Sequence, residues 1–281
     1  MRRQGPMVLL LPLALACSSK GSEPAGETAG SATRQPASAP AQAASAPAST
    51  PEGAKVMFIT PQDGSTVFPE VAVAMGLQGM TIRPAGEDVD DRTSGHHHVL
   101  IDQPEGIPEG TVVPASETSI HYGKGQTTAY VNVPEGERTL TLQLADGAHR
   151  SYGPKLSSTV KLEVVPSTGE RRVYFIAPKD GAKVKSPVKI RMGLEGMKIR
   201  PAGEDPLDKT TGHHHLVIDG GPVPIGKTVP ADETHIHYGK GQTEAEVELD
   251  SGRHTLTLQL ADGLHVSYGE KLSATITVDV E

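Results

Sequence analysis

The chain has 281 residues, 36% of them hydrophobic, which is enough for two modest cores; its 31 glycines and 23 prolines interrupt long helices and point to an all-β chain rich in turns. A formal net charge of −8, with no local cluster of Lys and Arg, excludes the broad basic field on which nucleic-acid binding depends. A single cysteine, Cys17, excludes any internal disulfide, so each domain must be held by its own core.

The first stretch, MRRQGPMVLLLPLALAC, has a basic start at Arg2 and Arg3, an apolar run over 7–16 and small residues before Cys17. That run is too short to span a bilayer permanently. It resembles a bacterial lipoprotein signal, with Ala14 where such signals usually carry Leu and Leu13 one place further back. The resemblance implies a signal peptide over 1–16, lipidation of Cys17 and a protein of the cell envelope that meets the membrane through its lipid. An ordinary cleaved secretory signal, the alternative, also leaves the mature protein outside the cytoplasm. Residues 17–54, as in SATRQPASAPAQAASAPAST, lack the apolar surface needed to offset their ordering entropy and read as a disordered tether. Fully extended, such a tether reaches roughly 100 Å.

From Val56 onward the chain repeats itself. VMFITPQDGSTV pairs with VYFIAPKDGAKV, GMTIRPAGED with GMKIRPAGED, TSGHHHVLID with TTGHHHLVID, SIHYGKGQT with HIHYGKGQT, and TLTLQLADGAH with TLTLQLADGLH. Each unit, at about 105 residues, is long enough to own a core, so this is a duplicated domain and not a short solenoid repeat. The expected units are 55–165 and 173–281, joined by a linker over 166–172.

In the first copy, period-two alternation predicts strands over 56–60, 71–79, 96–101, 119–122, 127–133, 138–145 and 157–165, with Leu140, Leu142 and Leu144 on one face and Thr139, Thr141 and Gln143 on the other. Seven such strands suggest an immunoglobulin-like β-sandwich, although the buried Trp and paired Cys of antibody domains are absent. If successive strands run antiparallel, the connections after the second, fourth and sixth emerge at one pole. The start of the third strand, His96 to His98, the end of the fourth at His121, and Asp146 and His149 after the sixth all reach it, as do Met80 and the RPAGED loop. The second copy brings Met197, His213 to His215, His235, His237, Asp262 and His265 to the same place. Of twelve histidines only His254 lies elsewhere.

On a strand, His96 and His98 share one face while His97 points with Val99 and Ile101 to the other. The middle residues, His97 and His214, are therefore expected in the core, hydrogen-bonded to backbone. The outer ones are candidate ligands: His96, His98, His121 and His149 in one copy, and His213, His215, His235, His237 and His265 in the other. Two imidazoles on His-x-His lie about 6.5 to 7 Å apart at Cα and can converge on one ion with a third from another strand. Met80, Met197, Asp146 and Asp262 are possible additional ligands, the methionines more often being core fillers. Sulfur would favour Cu(I); imidazole and carboxylate alone suit zinc or Cu(II). The extra imidazole of His235, where the first copy has Ser119, predicts tighter binding by the second. The alternative is that the imidazoles tie loops together by hydrogen bonds, for example to Asp146 or Asp262.

The glycines and lysine of HYGKGQT lack phosphate-loop spacing and read as a hairpin turn. Arg83 and Arg200 are expected to pair with Glu87 and Glu204. No Ser/His/Asp order or cysteine nucleophile stands out. GHHHVLID, IHYGKGQT and TLTLQLADGAH, in that order, resemble a bacterial envelope family known only as a domain of unknown function, the DUF4399 type. That resemblance implies a small β-rich extracytoplasmic module and nothing about catalysis. Three functions follow: an extracytoplasmic lipoprotein that binds copper or zinc at one pole of each repeat, a non-catalytic envelope interaction module with structural histidines, or a copper-dependent oxidoreductase. The last would share His-x-His with copper–zinc superoxide dismutase, but the paired cysteines and long loops of that family are missing here. The sequence names no protein partner.

Overall fold

A computed structural model describes residues 49–167 and 169–281. The expected signal peptide, the expected lipidation site at Cys17 and almost all of the expected tether lie outside the described residues. The first copy contains β1 (Lys55–Thr60), β2 (Ser65–Val67), β3 (Glu70–Gln78), β4 (Thr81–Ile82), β5 (Ser94–Ile101), β6 (Ser119–His121), β7 (Thr128–Asn132), β8 (Gly136–Ala145) and β9 (Ser157–Val164). One sheet has the order β1-β3-β7; the other runs β2-β9-β8-β5-β4, with β6 also on β5. The second copy repeats this with β10 (Arg172–Ala177), β11 (Ala182–Val184), β12 (Val188–Glu195), β13 (Lys198–Ile199), β14 (Thr211–Ile218), β15 (His235–His237), β16 (Glu244–Val247), β17 (Gly252–Ala261) and β18 (Ser273–Val280). The architecture is all-β: two tandem immunoglobulin-like sandwiches.

The seven alternating stretches all become strands, and two very short ones are added. β2 and β4 pair in parallel, with β9 and β5 respectively. At three and two residues they are too short to carry a period, so alternation could not reveal them. β2 forms because Pro61 cannot continue β1, and the Asp63–Gly64 turn then carries the chain to the other sheet.

Inside the first sandwich, Leu140, Leu142 and Leu144 are fully buried against Val99, Ile101, Val71, Val73 and Met75, and the second core is built likewise around Leu256, Leu258 and Leu260. The opposite face of β8 is not wet. Thr141 and Gln143 are buried too, because the long connection over 102–118 folds across them: Gln143 Oε1 accepts from Ile107 N at 3.1 Å, and its amide donates to Gly153 O and Leu156 O. This second covering makes the floor of the pole dry.

Both sandwiches belong to one compact unit. Tyr130 donates its hydroxyl to Tyr268 O at 2.8 Å, Arg171 pairs with Glu70 at 3.0 Å, Lys271 also pairs with Glu70, and Thr66 exchanges backbone hydrogen bonds with Leu207 and Lys209.

Candidate metal centre

The site is assembled from three segments. Near the start of β5 stands Gly95, where a Cβ would overlap Ala145 O, so only glycine lets the strand lie flush against β8. Pairing then sets His96 opposite Ala145 and His98 opposite Gln143, with His98 directly across from His121 on β6. The third segment is the turn after β8. Asp146 Oδ1 accepts from Ala148 N and Arg150 N, each at 2.9 Å, which curls the chain so that His149 sits at φ 65° and turns its ring back over the pole. His265 does the same at φ 64° under Asp262. A left-handed non-glycine conformation is costly and persists where the surroundings over-determine it.

A fourth segment holds the other two in register. In the RPAGED loop, Ala85 N donates to Gly123 O and Gly86 N to Gly147 O, both at 2.8 Å, so adjacent donors clamp the loops that carry His121 and His149. Ala202 and Gly203 repeat this on Gly239 and Gly263, both at 2.9 Å. The sequence brought this loop to the pole and assigned it an ion pair but not this clamp; its verbatim recurrence in both copies was the signal available. The ion pairs themselves run from Arg83 to Asp88 and from Arg200 to Asp205, not to Glu87 and Glu204, because the carboxylate five residues on is the one the turn brings back.

Four imidazoles converge in each copy. His98 Nε2 is 3.0 Å from His96 Nε2, and His149 Nε2 is 3.2 Å from His121 Nε2. The second copy gives 3.0 Å for His215 with His213 and 3.2 Å for His265 with His237. The possible ligand nitrogens of His96, His121 and His149 lie within 4.8 Å of one another, as do those of His213, His215 and His237. In the first copy, five of the six ring-centroid separations are 4.8 to 5.0 Å and the sixth, between His98 and His149, is 6.1 Å. In the second, five are 4.7 to 5.0 Å and the His215–His265 pair is 5.9 Å. His96 and His98 form a buried floor; His121, exposed, and His149, half-buried, form the rim.

Burial keeps the floor rings uncharged. Desolvation, reinforced by the neighbouring imidazoles, lowers His96 to about 4 and His98 to about 3, and does the same to His213 and His215. His121 and His237 are lowered too, by burial first and then by His149 and His265. At neutral pH the floor therefore offers lone pairs, the form that ligates. The Nδ1 atoms of His96, His98, His213 and His215 are buried and have no hydrogen-bond partner among the described residues, so these rings are oriented by packing and by their Nε2 contacts with one another.

The other sequence candidates fall outside this cluster. His235 stands opposite Val217, two places along β15 from His237, and its Nδ1 is 2.8 Å from Asp232 Oδ1. It shares the strand face with His237 but engages a carboxylate instead, which removes the expected advantage of the second copy. Asp146 is committed to its own turn and to Arg150 Nε at 2.8 Å; Asp262 holds its turn and Lys209 Nζ at 2.6 Å. Met80 and Met197 pack against the two hydrophobic cores. His97 and His214 are fully buried, as expected, but without the expected backbone partners: neither ring nitrogen of either residue has one. Their strand face meets the leucine core, where His97 stands opposite Leu144 and His214 opposite Leu260. His254, the histidine assigned elsewhere, bonds Asp219 and Asp250 O.

Gly123 follows this geometry closely. Its φ is not positive, yet a Cβ there would fall inside contact distance of Cε1 and Nε2 of His121, as one on Gly239 would with His237. Gly123→Ala should leave the fold intact, because the exposed ring yields more easily than the sheet, while pushing His121 off the centre. Long-range 1H–15N NMR of the imidazoles checks this: a changed His121 ring with unchanged leucine-core resonances is the expected result, and an unmoved ring would refute it.

A family model described as a domain of unknown function, DUF4399, matches residues 73–165 and 190–281. No curated protein matches the chain. Among solved structures, the fibronectin(III)-like modules of Clostridium thermocellum CbhA align at 13% identity over 80% of this chain and 94% of that one, with a TM-score of 0.29. The SGBP-B protein of the Bacteroides ovatus mixed-linkage glucan utilization locus, solved with a mixed-linkage heptasaccharide, aligns at 11% identity over 80% of this chain and 47% of its own, with a TM-score of 0.21. The chain thus spans about half of that second protein. At such scores the fold assignment rests on the sheet order itself.

Proposed function

Since the chain belongs to the DUF4399 family, a domain of unknown function, we propose that each copy is a transition-metal-binding module whose ligands are four imidazoles: His96, His98, His121 and His149, and their counterparts His213, His215, His237 and His265. The observation that carries this reading is the packing of four rings around one point, twice, to within 0.2 Å in every centroid separation. For Nε2 ligands about 2.0 to 2.1 Å from an ion, a regular tetrahedron sets ring centroids about 5.2 Å apart and nitrogens about 3.3 Å apart. Most of the observed separations lie close to these values. With the methionines in the cores and the aspartates committed to their turns, the donor set is all nitrogen, which suits Zn(II) or Cu(II) and not the oxygen-seeking Mg(II) or Ca(II). Lipid attachment at Cys17 and an extracytoplasmic position belong to the same proposal and rest on the sequence MRRQGPMVLLLPLALAC alone.

The second reading, structural histidines, draws on the same nitrogen pairs, since 3.0 and 3.2 Å also fit N–H···N bonds between neutral rings. Metal titration separates the two. Protein purified without a polyhistidine tag and stripped by chelator should take up two Zn(II) or Cu(II) ions per chain, one per copy, with similar affinities. His121→Ala, at the exposed rim, should remove one of the two by weakening that site at least about 100-fold, since even outer partners of ligands are worth 10- to 100-fold. No uptake by the wild type would leave the hydrogen-bonded reading standing.

A further inference from the structure

The four-imidazole shell is not evenly closed. Five centroid separations cluster at 4.7 to 5.0 Å, but His98–His149 opens to 6.1 Å and His215–His265 to 5.9 Å. If the ion lies about 3.2 Å from each centroid, those pairs subtend roughly 135 to 145° at the metal, against about 109° in a tetrahedron. Two ligands spread this far, with two others between them, outline a trigonal bipyramid that lacks one equatorial ligand. The same distortion on the same edge in both copies belongs to the design of the pole, not to one loop.

The rim also has an approach. In the second copy His237 and His265 form part of the wall of a solvent-open depression of about 570 Å3, together with Gly203, Gly263, Lys240 and Gln242. No carboxylate lines it. Lys240 is exposed and has no acidic partner among the described residues; Lys124 holds the same place in the first copy, equally unpaired. A divalent ion ligated only by neutral imidazoles keeps its full double charge. A lysine at the mouth adds to that field, and no carboxylate lines the depression to cancel it.

We propose that each centre is an open one that takes a small anion as a fifth ligand through the rim, with Lys240 and Lys124 drawing the anion in. This rests on the metal-binding reading and adds that the shell is unsaturated and anion-selective. A closed, purely structural ion would need neither the opened edge nor an acid-free mouth. The chemical class is a compact monoanion able to donate one lone pair to Zn(II) or Cu(II), such as hydroxide, a carboxylate or azide.

The test uses the full chain loaded with Cu(II), copper content being measured first, and azide as the probe. To read the second site alone, the same titration is repeated in His121→Ala. Azide should produce a ligand-to-copper charge-transfer band and change the copper electron paramagnetic resonance spectrum. Lys240→Ala in the His121→Ala background should bind azide about five- to tenfold more weakly, the scale of one partly screened charge, and the difference should shrink at high salt. A copper-loaded protein whose spectra are unchanged at saturating azide overturns the open centre while leaving the metal site intact. Unchanged azide affinity in Lys240→Ala overturns the role of the lysine. Failure to load copper at all overturns this inference together with the reading beneath it.

Discussion

Metal-free protein is expected to lose most of its stability between pH 6.5 and pH 4, a loss that begins well above the range in which ordinary carboxylates titrate. The cause is the set of buried neutral imidazoles: His96, His97, His213 and His214 are lowered to about 4, and His98 and His215 to about 3, with desolvation the leading cause in each. In the unfolded chain these rings take up a proton near pH 6.5. Below that pH the unfolded state therefore binds more protons than the folded one, and stability falls as pH falls until the folded values are reached. Each ring contributes a slope of at most about 1.4 kcal/mol per pH unit, so three per sandwich set an upper bound of about 4 kcal/mol per pH unit for each.

Other groups do not mask this window. Asp91, Asp219 and Asp232 are lowered, mainly by hydrogen bonds from Thr93, Thr255 and His235, so the stability they add is lost only as pH falls below the unfolded carboxylate value. His254 is raised by its bond to Asp219, so its contribution is present at low pH and lost as pH rises through its folded value, the opposite sign, but it is one ring against six. Denaturant melts of chelator-treated protein at pH 7, 5.5 and 4.5 measure the trend. Zinc should shift the loss to lower pH by competing with protons for the same nitrogens. Equal stability at pH 7 and pH 4.5 would show that the rings are hydrated in solution, and the desolvation argument would be wrong.

How far the sequence foretold this site depends on the physical scale of each feature. Strand alternation has a period of two and acts over several residues, so seven of the nine strands in the first copy and the pole where their ends gather were legible, and with them His96, His98 and His121. The face shared by His235 and His237 was legible too, but a face is not a position. His235 stands two places along β15 from His237, opposite Val217 and not opposite a ligand, and Asp232 captures it there. The ring of His149 reaches the centre only because Asp146 folds the turn and the backbone accepts φ 65°; no period encodes that. Thr141 and Gln143 alternated like a wet face, yet 102–118 covers them, because a polar residue with all its hydrogen bonds met inside reads in sequence like one facing water.

His97 and His214 give the second large effect, and its sign runs against the intuition that buried histidines stabilise. Both rings are fully buried with neither nitrogen partnered. A buried polar group left unsatisfied costs about 1 to 3 kcal/mol relative to an apolar group of the same shape. Leucine has nearly the volume of histidine, and the neighbours on that face are leucine and valine, so His97→Leu should stabilise the first sandwich by about 1 to 3 kcal/mol at pH 7. At pH 5 the gain should be larger, since the substitution also removes one of the rings whose protonation favours unfolding. His97→Ala, by contrast, leaves a void and should destabilise by about 2 to 4 kcal/mol. Because residue 97 points away from residues 96 and 98, the leucine variant should still bind two metal ions per chain with unchanged affinity. That combination, higher stability with an intact centre, separates the core role of the middle histidine from the ligand role of its neighbours. If His97→Leu instead lowers stability by more than about 1 kcal/mol, the ring is not the uncompensated group argued here: either an ordered water satisfies it or the leucine overpacks the site.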